Sequence, residues 1–378
     1  MNILVLTHSY PDQNHKWRGI FVLEQVRALS SKHNLIVVYF KVDYSHFAPF
    51  SHYLFLKKED GKVTEYEVTI NKSFPVITQI KYLSDTYRFI KNEILKQNKI
   101  DIIHSHLSYP AGFLGTIIQQ KQKIPNILTE HSRIKSYFRS WFHKQCVRYT
   151  LRKTTGIIVV SRALSEEITS FCHRPVNVIH NIVDVDKFKL IKPNPHTILN
   201  IGFLGALKNN NKGLDLLLKS ASMLKEKDIF LHIGGDGILI DNFKKMARDL
   251  DIDSKCKFYG EISRNDIGDF YSKLDLFILP SRSETFGIVL IEAMACGIPV
   301  IATMCGGPQD IVTPSTGILI KVDNAEELKK AILSMSENIG SYNRETIRNY
   351  TNENFGKEVF VKRISNLYQE ILTKKSNE

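Results

Sequence analysis

Pro280-Ser-Arg-Ser-Glu-Thr-Phe-Gly-Ile-Val-Leu-Ile-Glu-Ala-Met-Ala-Cys-Gly-Ile-Pro-Val-Ile-Ala302 is the stretch on which the fold turns. The apolar run Leu276 to Leu279 ahead of it reads as a strand that stops at Pro280, and a polar loop follows. A helix begins near Gly287, and Pro299 to Ala302 reads as the next strand. Strand, loop, helix, strand is the unit of a parallel sheet wrapped by helices, because parallel neighbours need a crossover. The start of such a helix offers free backbone N–H groups and the positive end of its dipole, a setting that suits a diphosphate. Glu284 sits in the loop before that terminus, and Glu292 follows after seven intervening residues.

The same rhythm extends outward in both directions. In the second half it predicts strands at Ile198 to Leu204, Ile229 to Ile233 and Lys257 to Tyr259 as well. In the first half it predicts Ile3 to Thr7, Leu35 to Phe40, Ile102 to His104, Asn126 to Thr129, Gly156 to Val160 and Val176 to Ile179. Between the halves lies the breaker-rich stretch Lys189-Leu-Ile-Lys-Pro-Asn-Pro-His196, read as a linker. The expected organisation is an α/β chain of two doubly wound, Rossmann-like domains, 1–190 and 197–350. The segment 351–378 is a terminal helix expected to cross back to the first domain. At 378 residues the chain is long enough for two cores. Ligands of such sheets bind outside the carboxyl ends of the strands, so two domains facing each other place a ligand between them.

Hydrophobic residues make up 43% and charged residues 24%, the balance of a globular protein and not of a disordered or fibrous one. No apolar run reaches the length of a spanning helix, and the N-terminus lacks the pattern of a signal peptide. The five cysteines, Cys146, Cys172, Cys256, Cys296 and Cys305, form no CxxC and suggest neither disulfides nor a zinc site. A reducing cytoplasm is the expected compartment. The net charge of +12 is uneven: residues 1–190 carry 27 Lys and Arg against 15 Asp and Glu, whereas residues 191–378 carry 24 against 24. The basic half therefore calls for an anionic partner.

The 280–302 segment resembles the E-x7-E signature of the family-4 retaining glycosyltransferases of GT-B fold. The resemblance covers nearly the whole chain, through Val178 to Phe188, Gly202-Phe-Leu-Gly205 with Lys212-Gly213, Gly234-Gly-Asp-Gly237 and Gly306 to Val312. It implies that Glu284 holds hydroxyls of a donor sugar and that backbone amides around Thr285, Phe286 and Gly287 line the sugar and diphosphate. Glu292 would accept from the ribose diol, since an ionised carboxylate takes two donors. Lys212 would neutralise the leaving diphosphate as charge grows on it. By the same resemblance Gly205 and Gly235 would belong to glycine-rich turns at the nucleotide, a turn device alone being the alternative for Gly234 to Gly237. One departure stands out: the arginine usual after the glycine at Gly205 is here Ala206. Lys208 is the candidate replacement at those phosphates, with a point charge in place of a bidentate fork; a solvated surface lysine is the alternative.

In the first half, Leu128-Thr-Glu-His-Ser132 places His131 just past a strand end, where the resemblance puts a histidine beside the reacting sugar; Glu130 is its neighbouring alternative. Asp12 and Gly19 fall in the loop after the first strand, on the acceptor side. His104 and His106 have the spacing of a metal pair without further ligands, leaving an acceptor-side or a structural role. The DxD spacings, Asp184-Val-Asp186 among them, lack a metal-site context, so no metal and no cofactor is expected. Residues 132–164 carry eight basic residues and no acid, with Tyr137, Phe138, Trp141, Phe142 and Tyr149 interleaved. On one amphipathic helix these suit an anionic membrane surface; core packing of the aromatics is the alternative. The aromatic loop Tyr44 to Phe55 is a second candidate contact.

The resulting expectation is a retaining hexosyl- or N-acetylhexosaminyltransferase at the inner face of the cell membrane. It would use a UDP-sugar more readily than a GDP-sugar and a saccharide or lipid-linked acceptor, without nucleic acid. An epimerase or phosphorylase of the same fold and a non-catalytic scaffold that binds nucleotide-sugars are the competing readings.

Overall fold

Ile3 to Leu6 are completely buried, as a strand must be when both faces of its sheet are covered. In the computed structural model, which describes residues 1–12, 17–47, 53–72, 75–138, 140–191 and 198–376, this run is the centre of strand β1, Asn2–Thr7. Seven further strands follow: β2 Asn34–Phe47, β3 Tyr53–Asp60, β4 Val63–Lys72, β5 Ile102–His106, β6 Asn126–Glu130, β7 Gly156–Val159 and β8 Asn177–Val178. They form one sheet in the order β3-β4-β2-β1-β5-β6-β7-β8. All neighbours are parallel except β3 and β4. Leu4, Leu6, Val38, Phe40, Val68, Phe89, Ile103 and Leu114 pack in one core of this sheet. Each such side chain contributes ~1.5 to 3 kcal/mol by leaving water.

The second sheet holds β9 Leu199–Leu204, β10 Ile229–Gly234, β11 Cys256–Gly260, β12 Leu276–Leu279, β13 Val300–Thr303 and β14 Gly317–Ile320. Its order is β11-β10-β9-β12-β13-β14, all parallel. Ile201, Phe203, Leu217, Leu231 and Ile278 lie in its core. Helix starts are set by short polar side chains: Ser140, Ser161, Asn324 and Asn343 each accept a backbone N–H at the start of their helix.

The chain divides into two compact units, Met1–Asn181 with Phe360–Glu378, and Ile182–Val359. The first crossing thus precedes the expected linker, of which 192–196 lie outside the described residues. The reason is local pairing: Val183 N–H donates to Phe355 O at 2.9 Å, and Arg348 donates to the carbonyls of Val185 and Phe188 at 2.7 and 2.6 Å. Asp184 and Asp186, read from sequence only as a DxD spacing, both bind Lys357, at 3.2 and 2.7 Å.

Two expectations are corrected here. Most of the aromatic stretch 44–55 is not a loop: Tyr44 to Phe47 end β2, Tyr53 and Phe55 open β3, and Phe50 lies outside the described residues. Nor is 132–164 one helix; it runs through a 3-10 turn at Ile134–Tyr137, the helix Trp141–Lys153 and strand β7.

Candidate active site

In the second unit, β9 lies between β10 and β12, so the loops leaving β9 and β12 diverge at that point and open a crevice at their carboxyl ends. These are the loops that carry Lys212 and Glu284. Gly213 brings them together. It has φ +73°, and a Cβ there would lie 1.9 Å from the carbonyl oxygen of Pro280, so only glycine permits the approach. The result is a pair: Lys212 Nζ donates to Glu284 Oε1 at 2.6 Å, and Ser281 Oγ donates to the same oxygen at 2.8 Å. The Glu284 side chain is 9% exposed and that of Lys212 30%, so the carboxylate is largely buried while the lysine reaches solvent. Gly307 N–H donates to Glu284 O at 3.0 Å, holding the backbone as well.

Gly287 caps the helix Ile288–Ala295 in the left-handed region. Thr285 is half-buried, and the buried Phe286 side chain packs against Phe355. Gly205 and Gly235 stack closely; a Cβ on Gly235 would meet Gly205 O at 1.9 Å. Lys208 is exposed, lining a pocket with Asn210, Asp215, Leu239 and Phe243.

Glu292, on the same helix, is buried with both oxygens engaged. Arg264 Nη1 donates to Oε1 at 2.5 Å and Tyr271 OH to Oε2 at 3.1 Å. Arg264 and Tyr271 were missed by sequence reasoning, because nothing in the spacing from Arg264 to Glu292 marks a contact across 28 residues. Arg282 was also missed. It does not serve as the absent arginine: it is bidentate to Asp215 at 2.9 and 2.9 Å and bonds Asp323 at 2.7 Å.

In the first unit the switch point lies between β1 and β5. Gly19 caps the helix Ile20–Leu29 with φ +64°, and a Cβ there would lie 1.9 Å from Ser9 O, so the loop closes onto the helix start. Asp12 is tied down, accepting from Tyr39 OH at 3.0 Å with Lys41 Nζ at 3.9 Å. Glu130 is wholly buried. It accepts from Ser108 N at 2.8 Å, Ser108 Oγ at 2.5 Å, the backbone N–H groups of His131 and Ser132 at 2.8 Å each, and Tyr137 OH at 3.0 Å. It shapes the turn that presents His131. Burial pushes its carboxyl up, and these hydrogen bonds oppose the shift.

The structure joins His131 to His106 and His104. His106 Nδ1 and His131 Nε2 are 3.1 Å apart, and His104 and His106 stack at 4.5 Å. Phe21 covers His131 at 4.2 Å between ring centroids. Burial lowers His131 to about 3, His104 assisting and Asn181 opposing; burial likewise lowers His104 to about 3. These rings are neutral at pH 7. Among the described residues no group of three His, Cys, Asp or Glu is placed to hold a metal ion.

Residues 19–187 match the family model described as Glycosyltransferase Family 4, and residues 184–353 the model described as Glycosyl transferases group 1. An uncharacterized glycosyltransferase of Methanocaldococcus jannaschii is 32% identical over 307 residues, covering 80% of this chain and 82% of its own. The chain belongs to the family-4 glycosyltransferases. Among solved structures, this glycosyltransferase resembles sucrose-phosphate synthase from Thermosynechococcus elongatus, with a TM-score of 0.78, 19% identity and 99% of each chain covered. It also resembles Anabaena HepE solved with UDP and glucose, with a TM-score of 0.75, 17% identity and coverage of 98% of this chain and 100% of that one. Those likenesses carry the fold, which is GT-B.

Proposed function

We propose that this glycosyltransferase moves a hexose or N-acetylhexosamine from a nucleotide-diphosphate donor, UDP in preference to GDP, to a saccharide acceptor with retention at the anomeric carbon. The observation that carries the reading is the Lys212–Glu284 pair at the switch point of the second unit, in front of the helix Ile288–Ala295. An ammonium beside that helix start suits a diphosphate, and its partner carboxylate suits sugar hydroxyls. The UDP bound to HepE supports the choice of base.

In the proposed reaction the bond from the anomeric carbon to the phosphate oxygen breaks, and the acceptor oxygen bonds to that carbon on the same face. The acceptor proton passes to the departing phosphate. Lys212 stabilises the charge that grows there, Glu284 fixes the sugar, and Glu292 takes the ribose diol once Arg264 and Tyr271 share it. His131, neutral, offers hydrogen bonding to the sugar and not charge. No metal or organic cofactor enters, and no nucleic acid. The acceptor is lipid-linked and the enzyme works at the inner face of the membrane, a reading supported by the exposed Trp141, Phe142 and Tyr149 beside Arg152 and Lys153.

The test is a panel of nucleotide-sugars, scored for binding by calorimetry and for turnover with and without saccharide acceptors. Acceptor-dependent release of UDP, lost in Lys212→Ala with donor affinity largely kept, is the expected result. Interconversion of the donor without acceptor would make the protein an epimerase, and binding without turnover a sensor.

A further inference from the structure

The two histidines of β5 and the histidine after β6 form a single column of rings. His104 and His106 are two apart on one strand, so their side chains share a face, and their rings stack 4.5 Å apart at 24°. His106 continues to His131, with rings 5.4 Å apart at 22° and the Nδ1 to Nε2 contact of 3.1 Å. Phe21 closes the column above His131. At the opposite end both nitrogens of His104 are occupied: Nε2 by Thr129 Oγ1 at 2.7 Å and Nδ1 by Tyr368 OH at 2.6 Å. Tyr368 is on the C-terminal helix Lys357–Ser376, wholly buried, with its ring edge-on to His104 at 84°.

We infer that Tyr368 is a positioning residue for His131, which it holds through His104 and His106. A neutral imidazole has one donor and one acceptor, and the partners of one nitrogen govern the tautomer and the ring plane. Buried in a stack, His104 has no water to replace the Tyr368 hydroxyl, so loss of that bond leaves Nδ1 without a partner and lets the ring turn. A stacked neighbour follows the turn, and His106 carries it to the hydrogen bond with His131. The last helix of the chain, far in sequence from the strands, thereby sets the histidine at the reacting sugar. The inference rests on the reading of His131 given above, but its structural part stands apart from turnover.

The test uses the full chain labelled at its histidine rings, with parent, Tyr368→Phe, Thr129→Val and Ser365→Ala compared. Tyr368→Phe keeps the ring and removes the hydroxyl; Thr129→Val removes the other hydroxyl at His104. Ser365 is the control on the same helix, since its hydroxyl meets His33 Nε2 at 2.8 Å and not the column. Ring-nitrogen NMR is expected to show His104, His106 and His131 all moving in Tyr368→Phe, with Thr129→Val moving the same three. At saturating donor, kcat falls about fivefold while the donor KM holds, the size expected for one lost neutral hydrogen bond. Unmoved His131 resonances in both variants overturn the inference whatever the activity. So does an equal loss of kcat in Ser365→Ala, because helix docking alone would then explain it. A parent that transfers no sugar defeats the proposed function instead, and the ring resonances still decide the column.

Discussion

Glu292 is buried with both carboxylate oxygens held by neighbouring side chains. Burying a carboxylate is costly unless it is paired and hydrogen-bonded, and here Arg264 and Tyr271 supply the donors. Glu292→Ala is expected to raise the donor dissociation constant more than tenfold, as loss of a charged hydrogen bond costs ~1.5 to 3 kcal/mol. Calorimetric titration measures it, and unchanged affinity would remove Glu292 from the site. The buried histidines make a second residue-scale expectation. Burial lowers His8 to about 4, with the Arg18 charge adding to it, and lowers His104 and His131 to about 3. Each stays neutral in the folded chain while its unfolded counterpart takes a proton near pH 6.5. The unfolded state therefore binds more protons below that value, and stability is lost as pH falls from 6.5 towards 3. Each histidine contributes a slope of at most about 1.4 kcal/mol per pH unit. Urea denaturation at pH 7.5 and pH 5 checks the sign; equal midpoints would show that these rings are not held neutral by the fold.

At the scale of elements, the site depends on how closely the loops after β9 and β12 approach. Gly213 sits where a side chain would strike Pro280 O, so Gly213→Val must push the loops apart or distort the start of the helix Leu214–Ser222. Backbone strain of this kind costs on the order of 1 to 3 kcal/mol. The expected outcome is a folded protein of lower Tm whose donor affinity falls more than that of Gly340→Ala, a change into open space. Equal affinities would mean that the Lys212–Glu284 pair forms without the close approach.

The whole molecule carries its excess charge in residues 1–190, and the structure sorts the aromatics that accompany it. Tyr137 bonds Glu130 and Phe138 packs on Phe171, with Lys144 over Phe138 and Arg148 over Phe171. Trp141, Phe142 and Tyr149 stay outside, 76%, 44% and 38% exposed. Among the described residues no helix is long and apolar enough to cross a membrane. In the proposed association with a membrane surface, each basic residue near anionic lipid contributes about 1 kcal/mol. A variant with Trp141→Ala, Arg152→Ser and Lys153→Ser is expected to lose sedimentation with anionic liposomes at low salt, where the parent binds and then weakens as salt rises. Equal sedimentation of the two would assign these residues to a solvated face.

Much of this was legible in the amino-acid order, because parallel strands buried on both faces leave unbroken apolar runs. Ile3 to Leu6 and Leu276 to Leu279 needed no partner to be recognised. Gly213 and Gly287 before helices likewise marked the loops after β9 and β12. Strands β3, β4 and β14 escaped: Tyr53–Asp60 is an edge strand facing solvent along most of its length and has no buried pattern to read, β14 is a four-residue edge strand, and β4 was missed although Tyr66, Val68 and Ile70 alternate into the core. The histidines were visible as candidates, but their order in a column was not. That depends on strand register, which sets Ser105 beside Leu128 and His106 beside Thr129, and on a helix that returns 264 residues later to bring Tyr368 to His104. Local pattern reports burial and turn chemistry, because those act between near neighbours. Which distant side chain ends a hydrogen bond is decided only when the sheet is assembled, and for Arg264 with Glu292 and Tyr368 with His104 that decision belongs to the tertiary structure.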